Sequence, residues 1–176
     1  PTYIELDRSA LEHNISVLKE WMGNEVVISS VVKGNAYGHG LDEFVPMVMD
    51  CGIDHFSVFS ANEAYQLINK NGNGFTLMIM GMVEDDALAW AIANGIEFFV
   101  FDLKRVVSAI SFAKKIGQPA VVHLELETGM NRTGMHNKEL KSVLQLISDN
   151  REHIVLKGVC THFAGAESIS NYHRVK

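Results

Sequence analysis

The strongest constraint on the fold is a rhythm of short apolar strands and amphipathic segments that repeats along nearly the whole chain. Apolar runs rich in β-branched and aromatic residues fall at 26–32, 56–59, 75–80, 97–101, 120–127 and 155–163. Runs of this kind belong to strands buried on both faces, and their alternation with helices at steps of about 20 to 35 residues builds right-handed βαβ units and a parallel sheet. A closed barrel needs about eight such units. On pattern alone, a partial (β/α)8 barrel and a doubly wound sheet both remain open.

The connecting segments carry helix punctuation. A short strand is expected over 2–6, followed by a helix opened by the capping box Ser9-Ala10-Leu11-Glu12, carrying Ile15, Leu18 and Met22, and stopped at Gly23. Ser60-Ala61-Asn62-Glu63 is a second capping box. A helix from Leu41 towards Gly52 tolerates Pro46 only near its start. Asp102 caps a segment with Val106, Val107, Ile110 and Ala113 at helical spacing, ended by Gly117 and Pro119. Helices are also predicted over 85–94 and 138–148, and 169–176 reads as one beginning.

At 176 residues and 47% hydrophobic, the chain can bury a sizeable core, and its length fits one domain, 1–176. A net charge of −6 without a basic run argues against nucleic acid or an anionic membrane as partner. Cys51 and Cys160 stand far apart and in no metal-binding spacing, so both read as small buried apolar residues and no metal site is expected. Neither a membrane-length apolar run nor a secretory pattern at the amino terminus is present, which makes the cytoplasm the expected location.

Chemistry concentrates where the strand at 26–32 ends, in Val31-Val32-Lys33-Gly34-Asn35-Ala36-Tyr37-Gly38-His39-Gly40. Lys33 shares parity with Ser29 and Val31, so in a barrel its amine projects at the carboxyl end of the strand, where such folds place their chemistry. Gly34, Gly38 and Gly40 permit tight turns and close approach of a ligand. A lone lysine at a strand end is ordinarily a solvated charge. Desolvated among apolar residues, its amine would instead act as a Schiff-base nucleophile or a base. The string as a whole resembles the pyridoxal-phosphate attachment motif of the alanine racemase family, and ten residues at fixed spacing are a specific signal.

Two further strings strengthen the resemblance. His123-Leu124-Glu125-Leu126-Glu127 places three polar residues on one strand face, which is either an inward polar face or the solvated face of an edge strand. Glu127-Thr128-Gly129-Met130-Asn131-Arg132-Thr133-Gly134 resembles the family's Asp-Thr-Gly-Met-x-Arg-x-Gly loop, with glutamate in place of aspartate. Cys160-Thr161-His162-Phe163-Ala164 resembles the family's Thr-His-Phe segment. Glu125 stands where many relatives carry a lysine modified to a carbamate that holds the arginine, and its own carboxylate would do the same work on Arg132.

The resemblance runs from Thr2 to about Ala166 and implies the amino-terminal part of a (β/α)8-barrel racemase, with about six βα units and without the carboxyl-terminal β domain. It implies pyridoxal 5'-phosphate held by Lys33, which also moves the substrate α-proton. Tyr37 would hydrogen-bond the phosphate, Arg132 would address the cofactor's phenolic oxygen and the substrate carboxylate, and His162 would support the cofactor's ring through an arginine beyond Lys176. Glu125 and Glu127 are supporting residues, and His39 has no implied role. The implied reaction interconverts L- and D-alanine to supply D-alanine for peptidoglycan. A decarboxylase of the same barrel type, a non-catalytic pyridoxal-phosphate carrier and a structural fragment that binds nothing are the alternatives. The second proton carrier in this family is a tyrosine of the partner subunit's carboxyl-terminal domain, so a homodimer is implied, and none of Tyr3, Tyr37, Tyr65 or Tyr172 occupies that position. The remainder of the same protein is therefore an expected partner. It would be present as a second polypeptide cut after His162, near Gly165, Ser168, Ser170, Arg174 and Lys176, or as an associated copy.

Overall fold

The first helix starts two residues earlier than its serine predicts. Asp7, not Ser9, caps α1 (Arg8–Met22), its carboxylate accepting the Ala10 N–H at 3.0 Å and the Ser9 hydroxyl at 2.7 Å. Glu12 is then free to pair with Arg8 at 3.0 Å one turn back. A carboxylate at the cap opposes the positive helix terminus better than a hydroxyl, which explains the shift. No strand forms over 2–6. The computed structural model describes residues 2–23 and 25–163, and the calls made at Ala164, Gly165, Ala166, Ser168, Ser170, Tyr172, Arg174 and Lys176, with the predicted helix over 169–176, lie outside them.

The chain divides into two compact units, Pro1–Gly81 and Met82–Lys176. In the first, α1 is followed by β1 (Ser29–Val31), a single turn α2 (Lys33–Tyr37), α3 (Leu41–Asp50), β2 (His55–Val58), α4 (Ala61–Asn71) and β3 (Thr76–Ile79). β1 is shorter than its apolar run, because Val26 and Val27 stay 49% and 71% exposed and only residues 29–31 pair with β2. β1 pairs with β2 and β2 with β3, all parallel, Val31 opposite Ser57 and Val58 opposite Ile79. Val32, Val45, Val48, Phe56, Val58 and Leu67 form the sealed core between strands and helices. Pro46 sits mid-helix in α3 rather than near its start.

The second unit runs α5 (Asp85–Ala93), β4 (Glu97–Val100), α6 (Leu103–Ile116), β5 (Ala120–Leu126), α7 (Asn137–Asp149) and β6 (Ile154–Thr161). Asp102 caps α6 by accepting the Arg105 N–H at 2.7 Å, and Gly117 closes it in the left-handed conformation. β5 pairs in parallel with β4 on one side and β6 on the other, so it is not an edge strand. The strand order follows chain order within each unit, an order that a barrel and either half of a doubly wound sheet share. Leu88, Phe98, Val100, Val106, Val122, Leu124 and Val143 are fully buried around these strands. No helix among the described residues is long and apolar enough to cross a membrane.

Candidate active site

Lys33 lies two residues past the end of β1, half-buried, with Val32 before it only 1% exposed. The Val32 N–H donates to the Ser57 carbonyl at 2.8 Å, which extends the β1–β2 ladder up to the lysine. The chain then turns with the opposite hand to an ordinary helix. Gly34, Asn35, Ala36 and Tyr37 have φ of 61°, 55°, 54° and 55°, a run of left-handed residues of which only the first lacks a Cβ. Left-handed geometry costs roughly 1–2 kcal/mol for each residue with a side chain, so the turn persists only because its surroundings hold it.

Those holding contacts are specific. The Ala36 N–H returns to the Val32 carbonyl at 2.9 Å, and the Gly38 and Gly40 N–H groups meet the Asn35 carbonyl at 3.1 and 3.0 Å. The Asn35 side-chain oxygen accepts the Leu41 N–H at 3.0 Å at the start of α3. His39, which the sequence left without a role, donates its Nδ1 proton to the Ala36 carbonyl at 2.7 Å while its ring lies 5.7 Å from that of Phe44. The turn leaves Tyr37 64% exposed, and a Cβ at Gly34 or Gly38 would meet nothing within 4 Å. An amine, a phenol and open space over two glycines thus share one short stretch.

In the second unit, the other predicted residues gather where β5 and β6 end. The loop after Leu126 is pinned at its base, the Glu127 N–H donating to the Met135 carbonyl at 3.1 Å and the Met135 N–H to the Glu125 carbonyl at 2.8 Å. Inside it, the Glu127 carboxylate faces the backbone N–H groups of Asn131, Gly129 and Arg132, which together hold it below the usual glutamate range. Arg132 is exposed at the loop's tip. Glu125 is 4% exposed, and its carboxylate accepts the Thr133 hydroxyl at 3.1 Å. Among the described residues Glu125 and Arg132 form no ion pair, so the carboxylate expected to grip the arginine acts on its neighbour in the chain instead.

Thr161, the last residue of β6, ties the two strand ends together by donating to the Leu126 carbonyl at 2.9 Å and sharing a 2.6 Å hydrogen bond with Thr128. His162 follows it and is exposed. Cys160 and Cys51 are half-buried free thiols rather than core residues. Burial, together with the charge of Glu125, pushes the Cys160 thiol up to about 12, which makes it a poor nucleophile. His123, predicted on the same face as Glu125 and Glu127, belongs to a different cluster. Its Nε2 lies 2.6 Å from Glu97 at the amino end of β4, and Lys157 lies 3.2 Å from the same carboxylate. Burial pushes the Glu97 carboxyl up, but His123 and Lys157 outweigh it and the group sits below the usual range. Lys157 and Glu97 are a pairing that spacing could not have shown.

Parallel βα units with candidate functional side chains at the strands' carboxyl ends define an α/β protein of the parallel-sheet class. Residues 6–175 match the family described as "Alanine racemase, N-terminal domain". The chain is 34% identical over 168 residues to the alanine racemase of Halalkalibacterium halodurans, covering 94% of this chain and 42% of that protein. Among solved structures, alanine racemase from Bacillus anthracis with bound L-Ala-P superposes with a TM-score of 0.83 at 29% identity, over 97% of this chain and 45% of that one. A histidine racemase from Leuconostoc mesenteroides subsp. sake superposes with a TM-score of 0.82 at 25% identity, over 93% and 43%. The chain belongs to the alanine racemase amino-terminal domain family, and its fold is that family's (β/α)8-type barrel, of which the described residues supply six strands and seven helices. It spans less than half the length of the curated relatives it matches.

Proposed function

We propose that this chain provides the lysine-bearing part of a pyridoxal-phosphate-dependent racemase that interconverts L- and D-alanine, acting in the cytoplasm as a homodimer and supplying D-alanine for peptidoglycan. The observation that carries the reading is the strained turn after Lys33, since three side-chain-bearing residues with positive φ are retained where a lysine leaves a strand. The residues fit an aromatic aldehyde phosphate. Lys33 supplies an amine to hold the aldehyde, the space over Gly34 and Gly38 admits close approach, and Tyr37 offers an exposed phenol to the phosphate.

When bound, the cofactor supplies an electron sink that makes the α-proton of an amino acid removable. Lys33, whose amine would hold the cofactor's aldehyde, would take or return that proton on one face. Arg132 addresses the phenolic oxygen and the substrate carboxylate with a planar fork, and Glu127 holds the loop that presents it. His162 would support the ring side of the cofactor, and Glu125 steadies the loop through Thr133. The second face requires a proton carrier that the described residues of this chain do not identify.

Likeness to a histidine racemase supports a second reading, in which the same residues serve a larger side chain. Incubation with pyridoxal phosphate, borohydride reduction and peptide mapping test the assignment, and label on any lysine other than Lys33 would end it. Deuterium uptake at the α-carbon of alanine, set against histidine and serine, then decides the substrate.

A further inference from the structure

We infer that Glu63 is the positioning residue of Lys33, an assignment that rests on the proposed role of the lysine but is tested without it. Glu63 is the third residue of α4 and completes its capping box, the Ser60 hydroxyl accepting the Glu63 N–H at 3.3 Å. A capping-box glutamate ordinarily spends its carboxylate on the cap residue's N–H alone. Here one oxygen, Oε2, takes both the Phe59 N–H at 2.7 Å and the Ser60 N–H at 3.2 Å. The other, Oε1, accepts the Gly34 N–H at 2.8 Å, a contact 29 residues away in the chain.

The Gly34 N–H belongs to the peptide plane between Lys33 and Gly34, so the bond fixes the lysine's ψ and the entry into the left-handed turn. On the other side of the lysine, the Val32 N–H is fixed to the Ser57 carbonyl. The chain is thus held just after the lysine, at the Lys33–Gly34 peptide, and just before it, at the Val31–Val32 peptide. One clamp is the β1–β2 ladder and the other is a carboxylate from α4. Gly34 has φ of 61° and an added Cβ there would meet nothing within 4 Å, so no side chain packed over that position helps to hold it. The charged acceptor does, and bonds to a charged acceptor are roughly twice as strong as neutral ones.

Two variants separate this role from ordinary helix capping. Ser60→Ala removes the hydroxyl half of the box and leaves the carboxylate on Gly34. Glu63→Gln keeps size but has a single acceptor oxygen, so it cannot serve the α4 end and Gly34 together. In the full-length protein without cofactor, amide exchange resolved at Gly34 is expected to be slow in the wild type, at least about tenfold faster in Glu63→Gln, and within about twofold of wild type in Ser60→Ala. The rate at which pyridoxal phosphate is trapped on Lys33 by borohydride should fall in Glu63→Gln and not in Ser60→Ala, even though both lower the melting temperature. Wild-type Gly34 exchanging as fast as an open amide overturns the assignment with no variant needed, and so does equal exchange at Gly34 in the two variants. If exchange follows the expectation but no lysine is labelled in the wild type, the cofactor reading fails while the hold of Glu63 on the turn stands.

Discussion

The turn after Lys33 is held by a carboxylate from another helix, Glu63 of α4, whereas the loop that carries Arg132 is held by its own first residue, Glu127. The two stretches also carry strain differently. Asn35, Ala36 and Tyr37 are successive side-chain-bearing residues with positive φ, while in the Arg132 loop only Asn131 is, at 53°, and Gly129 and Gly134 take the other positive angles. The Lys33 turn is stiff by distant bracing and depends on α4. The Arg132 loop is closed at its base by two backbone hydrogen bonds and is tied to β6 through Thr161, which bonds Thr128 and the Leu126 carbonyl. Bracing suits a group that must hold one direction. Local closure suits a group at an exposed tip, placed by where its loop ends.

The comparison is tested most severely at Arg132. In the complete enzyme, Arg132→Lys keeps the charge but exchanges a planar fork for a point donor, and the expected loss in kcat/KM corresponds to about 2–4 kcal/mol. Steady-state kinetics check it. Unchanged turnover would make Arg132 a surface cation, and the loop would then have nothing to position.

Next come the glycines, one in each stretch. A Cβ on Gly134 would sit 2.5 Å from the Glu127 nitrogen and 2.7 Å from the Leu126 carbonyl carbon, both backbone, at φ of 120°. Neither atom can yield without opening the loop base, so Gly134→Ala should cost about 3 kcal/mol in urea unfolding, strain and overpacking combined. Gly34→Ala meets open space and pays only for its left-handed angle, about 1 kcal/mol. Equal losses at the two sites would mean that the Arg132 loop is the more yielding of the two, the reverse of what its contacts say.

How much of this was legible in the sequence follows the same division. Most signals that act within four residues were read well: the Ser60 to Glu63 box, the Asp102 cap, and the stops at Gly23 and Gly117 stand where spacing put them, whereas the Ser9 to Glu12 box does not form because Asp7 caps α1. The six strands were found because each is a compact apolar run, although β1 was drawn too long, since Val26 and Val27 are apolar without being buried. What spacing could not show were contacts made across the fold: Glu63 on Gly34, Lys157 on Glu97, and Thr133 rather than Arg132 on Glu125. The left-handed turn was visible only as an excess of glycine. That Asn35, Ala36 and Tyr37 share its conformation comes from local bonds, Asn35 on Leu41 and His39 on Ala36, together with the remote hold of Glu63 on Gly34, and propensity argues against it.

The smallest effect expected is in acid, and it isolates the local hold. The Glu127 carboxyl lies below its ordinary value of 4.5 because backbone N–H groups of Asn131, Gly129 and Arg132 favour the charged form, while partial burial works the other way. A depressed folded value means the unfolded chain takes up the proton first as pH falls. The contribution of Glu127 to loop order is therefore complete above the ordinary glutamate range and is lost as pH drops through the lower, folded value. Since the carboxylate is accessible to water, the global melting temperature should barely move on its account. The loop itself should respond. Amide exchange of Asn131 and Arg132, corrected for the intrinsic pH dependence of exchange, is expected to rise only below the ordinary glutamate range, and the side-chain carbonyl resonance of Glu127 should titrate with a midpoint below 4.5. In Glu127→Gln the loop amides should lose this pH dependence, while Gly34 stays unaffected because its bond comes from α4. A midpoint at or above the ordinary value would show that the loop is held by its Met135 base alone, and the contrast between remote and local carboxylates would fall with it.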